Sequence, residues 1–87
     1  QLEIIEVEVA SDAPAAGCRI SDLELPEGSL VVSVLRNGAG FVAKTDTVIE
    51  GGDEVLAVLS PGDEEAVCEL FASSDEDQGV TAPRRPA

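Results

Sequence analysis

The run Leu30-Val31-Val32-Ser33-Val34-Leu35-Arg36-Asn37-Gly38-Ala39-Gly40-Phe41-Val42-Ala43 decides the fold. Its first six residues are almost all branched aliphatics, which suits a strand covered on both faces and predicts the central strand of a sheet. Asn37-Gly38 then supplies a two-residue hairpin turn, because both central residues of such a turn need positive φ. Gly40 to Ala43 is therefore the returning strand.

Working outward, Ile5, Val7 and Val9 alternate with Glu6 and Glu8, the mark of a half-buried strand within residues 2–9. Between this strand and the hairpin, Ser11-Asp12-Ala13-Pro14-Ala15-Ala16-Gly17 predicts one short helical turn. Ser11 or Asp12 caps it, Pro14 sits in its first turn and Gly17 closes it in a left-handed conformation. A second turn is expected at Ser21-Asp22-Leu23, stopped by Pro26. Downstream, Gly51-Gly52-Asp53 is a turn signal ahead of a strand over Glu54 to Leu59. With three strands in close succession, an antiparallel meander is the simplest arrangement. Val67, Leu70 and Phe71 recur at helical spacing behind the acids Glu64 and Glu65, so a helix should lay this stripe on the sheet. The expected class is α+β: a small, mostly antiparallel sheet in the order strand, short helix, three strands, helix. Residues 1–72 form the domain, and residues 73–87 read as a disordered tail, acidic and then rich in Pro and Arg.

Composition narrows the function. Eighteen acidic residues against five basic ones give a formal charge of −13, which excludes broad binding to a nucleic-acid backbone and disfavours an anionic membrane surface. No apolar run approaches the roughly 20 residues of a membrane span, so a cytoplasmic chain with no direct membrane insertion is expected. Aromatics are only 2% of the chain, so the core must be aliphatic, and a domain this small gains from sharing burial with a partner. Histidine is absent and Cys18 and Cys68 lie far apart, so neither a nucleophile–base pair nor metal-ligand spacing can be drawn. The thiols read as small apolar groups, with a disulfide left open. The chain is not expected to be an enzyme.

Ser29 to Gly38, followed by Asp46-Thr47-Val48-Ile49-Glu50-Gly51-Gly52-Asp53-Glu54-Val55-Leu56-Ala57-Val58, closely resembles the C-terminal domain of the TrkA family, also called the RCK C-terminal domain. The segment from Ala15 to Gly28 carries the family's Gly, Leu and Pro-x-Gly landmarks, and the resemblance extends over roughly residues 2–71. It implies a dimerising regulatory domain of a potassium uptake or cation transport system, acting on a membrane transporter subunit through a longer protein. It also implies cyclic di-AMP or another nucleotide as a regulatory ligand at the dimer interface, as in some members. The residues that would form that site are Ala15, Ala16, Gly17, Arg19 and Ile20. Arg19 would hold a phosphate oxygen or, alternatively, pair with Asp22 or Glu24, and the small side chains would floor a base or contact a second subunit. One position departs from the family pattern: Ala43-Lys44 stands where a proline usually follows the hairpin strand, which weakens the transfer of ligand binding. A purely structural dimerisation module, with no small molecule, is the competing expectation.

Overall fold

The computed structural model describes residues 1–73, and residues 74–87 of the expected tail lie outside the described residues. Four strands, β1 (Glu3–Glu8), β2 (Leu30–Arg36), β3 (Ala39–Val42) and β4 (Glu54–Leu59), precede one helix, α1 (Glu64–Phe71). The hairpin forms as expected: β2 and β3 pair antiparallel across Asn37 (φ 53°) and Gly38 (φ 80°), two left-handed residues in succession.

The meander does not form. The sheet order is β1-β4-β2-β3, with β4 antiparallel to both β1 and β2. Every second residue of β4, namely Val55, Ala57 and Leu59, is buried, and those side chains reach the core only from a position between β1 and β2. All four residues of β3 are exposed, so it can stand at the edge. The connection over residues 43–53 crosses back over the end of the sheet to make this possible.

Pairing defines two faces. On the inner face Ile5, Ala57 and Val31 form one row, and Val7, Val55, Val34 and Phe41 the next. Strict alternation cannot turn both Val31 and Val34 inward; a register shift between Val31 and Ser33 does so, leaving Val32 as the extra residue of a bulge. Helix α1 joins this core through Val67, Cys68 and Phe71, with Leu70 packed at its margin. Each of the larger of these side chains contributes about 1.5–3 kcal/mol on burial.

The outer face carries Ile4, Val58 and Leu30 in one row, then Glu6, Leu56, Ser33 and Val42, then Glu8, Glu54, Leu35 and Gly40. It corrects the expectation that β2 is covered on both faces. Leu30 is 62% exposed, because α1, the one α-helix among the described residues, lies on the other side.

Between β1 and β2 the chain makes successive tight turns rather than a helical one. The amides of Ala13, Ala16 and Cys18 donate to the carbonyls of Ala10, Ala13 and Ala15. Gly17 is left-handed (φ 86°), as its role of closing residue requires. A single 3₁₀ turn follows at Ile20–Asp22. No helix among the described residues is long and apolar enough to cross a membrane.

Candidate functional site

The segment that holds the expected site residues is fixed by backbone rather than by side chains. Residues 17–21 run antiparallel to residues 45–49, with Arg19 and Val48 in a β-bridge. The Gly17 amide donates to the Ile49 carbonyl (2.6 Å), Ile49 to Cys18 (2.9 Å), Ile20 to Thr47 (2.9 Å) and Ser21 to Thr45 (2.9 Å). The alternation of exposed Val48 with fully buried Ile49 seats the 45–49 loop against the core.

The loop in turn is fastened by Arg36 at the end of β2. Its Nε donates to Asp53 Oδ1 (2.9 Å) and its Nη2 to Asp53 Oδ2 (2.8 Å), a bidentate pair, while Nη2 also donates to the Val48 carbonyl (2.9 Å). Nη1 lies 3.4 Å from Glu50 Oε2. Asp53 is 1% exposed and also accepts the Glu50 amide (2.9 Å), whereas the Arg36 side chain is 27% exposed and its guanidinium stands 5.2 Å from the centre of the Phe41 ring. Burial alone would push the Asp53 carboxyl up. The hydrogen bonds from Arg36 and the Glu50 amide, with the charge of Arg36, outweigh it and hold the carboxyl below its usual range. The bond to Asp53 raises Arg36, which stays charged.

The five expected site residues are brought together, but they are not equally accessible. Ala15 is fully buried in the core, Ala16 and Ile20 are half-buried against it, and Gly17 and Arg19 are exposed. Arg19 forms no ion pair with Asp22, Glu24 or any other described residue, so the pairing alternative is not realised. The three basic residues among the described ones converge on the same loop: Lys44 opens it, Arg19 is bridged to Val48, and Arg36 is bonded to the Val48 carbonyl. Arg36 is committed to Asp53 and Glu50; the side chains of Arg19 and Lys44 are exposed and form no ion pair among the described residues. Asp46 and Glu50, on the same loop, temper the positive field.

Sequence reasoning treated Asp53 only as the end of a turn. The alternation of β2 signals the need for such a partner without choosing it: with Val34 turned inward, Arg36 also faces inward and calls for a carboxylate at its own level. Both cysteines are free. Burial raises the Cys68 thiol, helped by the charge of Glu64. No group of three or more His, Cys, Asp or Glu among the described residues is placed to hold a metal ion.

Three comparisons bear on this arrangement. The TrkA-C domain family matches residues 4–72. A Trk system potassium uptake protein TrkA homolog of Archaeoglobus fulgidus is 35% identical over 71 residues, which cover 82% of this chain and 16% of that protein. The Trk system potassium uptake protein TrkA of Mycobacterium tuberculosis is 31% identical over 74 residues, covering 85% of this chain and 34% of that one. The chain thus spans about a sixth to a third of the length of these relatives. In three dimensions it is similar to a solved structure of an RCK domain with cda, with a TM-score of 0.62 and 20% identity over 79% of this chain and 93% of the other.

Proposed function

The chain belongs to the TrkA-C domain family, a non-enzymatic regulatory family, and from that premise we propose that it is the ligand-sensing, dimerising regulatory domain of a potassium uptake system. Its ligand is a nucleotide, cyclic di-AMP first among them, held where two copies meet along residues 15–20. The domain acts on a membrane transporter subunit through the longer protein that contains it. The observation that carries this reading is the placement of the bases. In a chain of net charge −13, all three basic residues among the described ones gather at one loop, and two of them are unpaired and exposed. An anion entering there meets exposed Arg19 two residues from Gly17 and bridged to Val48, while Lys44 stands at the far end of the same antiparallel segment, past the Ser21–Thr45 contact.

The solved RCK domain with cda has the same fold, which supports cyclic di-AMP as the first ligand to try. A ligand shared between two copies would favour whichever subunit arrangement it binds better, and that preference is the signal. The test is thermal melting with and without nucleotides. Cyclic di-AMP at about 100 times its dissociation constant should stabilise the domain by about 2.7 kcal/mol. Arg19→Ala should remove most of that gain without lowering the melting temperature of the free protein. Two observations favour the structural module instead: Ala43-Lys44 in place of the family's proline, and the complete burial of Ala15. A melting temperature unmoved by any nucleotide would establish that second reading.

A further inference from the structure

We propose that the outer face of the sheet is a docking surface for a cationic amphipathic segment of a partner protein. This face lies opposite α1 and is separate from the loop that holds Arg19, so the inference does not depend on the ligand reading. An antiparallel sheet that leaves one face to solvent normally makes that face polar. Here the rows across β1, β4, β2 and β3 set Ile4, Val58 and Leu30 side by side, with Leu56 in the next row and Val42 beyond Ser33 in that row, and Ile4, Leu30 and Val42 are 47%, 62% and 72% exposed. A contiguous apolar patch of this kind marks an interaction site.

The charges beside the patch choose the occupant. Glu6 and Glu8 occupy the neighbouring positions on β1, and no Lys or Arg among the described residues stands at a register position of this face. A second copy laid face to face on it would bring another apolar patch, but it would also bring the same Glu6 and Glu8 beside that patch, like charge toward like charge in chains of net charge −13. A segment with apolar side chains on one side and Lys or Arg along its margin satisfies both halves of the surface: its apolar side covers the Ile4–Val58–Leu30 row, and its bases reach the carboxylates along β1.

The probe is a capped model helix with Leu on one side and Lys on the other, titrated into the isotopically labelled chain at physiological salt and followed by amide chemical shifts. The shifts should concentrate at Ile4, Leu30, Leu56 and Val58. Leu30→Lys should weaken binding about tenfold, since it replaces a contact that the partner buries. Glu65→Gln changes the net charge by the same amount on exposed α1 and should leave affinity within about twofold. Both positions are exposed and both variants should retain the amide spectrum of the folded chain. Shifts confined to the acids of α1, equal losses from the two variants, or an absence of binding would each overturn the proposal. So would a self-associated chain that Leu30→Lys dissociates, because the face would then belong to a second copy.

Discussion

Replacing Asp53 by Ala tests the physical core of the architecture. In the native protein the carboxylate is 1% exposed and accepts three hydrogen bonds shorter than 3 Å, two from Arg36 and one from the Glu50 amide. Truncation leaves a guanidinium fixed under the loop, with Glu50 at 3.4 Å as its remaining ionic partner, and a backbone amide with no acceptor. Removing one member of a well-buried ion pair costs about 3–5 kcal/mol. Arg36 retains 27% exposure and can turn toward water, so the loss here should be smaller, about 2–4 kcal/mol. For a domain of this size that lowers the melting temperature by roughly 10–25 °C. Far-ultraviolet circular dichroism is the suitable probe, because the chain has neither Trp nor Tyr. Arg36→Met keeps an unbranched stem beside Phe41, and a double-mutant cycle between the two changes should give a coupling of about 1.5–3 kcal/mol. An Asp53→Ala variant within about 0.5 kcal/mol of the parent would refute the reasoning, since that is the range of an exposed pair.

The same pair sets a pH dependence. The folded Asp53 pKa lies below its unfolded value of about 3.9. Its contribution is therefore complete above roughly pH 4 and is lost as pH falls through the folded pKa, where the unfolded chain binds the extra proton. The difference in urea stability between parent and Asp53→Asn should accordingly shrink on acidification, whereas a constant difference would count against the assignment. Gly51→Ala should cost about 1–3 kcal/mol in the same urea assay, because an added Cβ would come within 2.7 Å of Ser11 Cα; a neutral result would mean that the two loops are free to part. In the folded protein an alkylating thiol reagent should modify half-buried Cys18 well before Cys68, which is buried and has a raised pKa, while in denaturant the two should react at similar rates. Equal labelling of both in the native state would contradict the packing of α1.

Local chemistry made much of this fold legible. Asn37-Gly38 has one economical use between two apolar runs, and the alternation in β1 and the spacing of Val67 and Phe71 each admit one buried face. Strand order was not legible in the same way. The short connections argued for a meander, but β4 has the stronger inward row, and only its place between β1 and β2 buries Val55, Ala57 and Leu59. The bulge at Val32 was hidden for a related reason: a continuous apolar run looks alike whether both faces are covered or the strand shifts its phase once. At the proposed site, resemblance pointed to residues 15–20, and the structure shows the backbone scaffold that holds that segment. Arg19 was legible as a lone base in an acidic chain. Asp53 was not, because among eighteen carboxylates nothing local sets apart the one that is buried.

The central claim is that this domain senses a nucleotide between two copies of itself. Isothermal titration of the purified chain with cyclic di-AMP, with the oligomeric state followed by light scattering, tests it most directly. The account predicts saturable binding at one ligand per dimer, abolished or strongly weakened in Arg19→Ala. A flat titration on a confirmed dimer would contradict it and leave a structural module whose signal enters elsewhere in the longer protein.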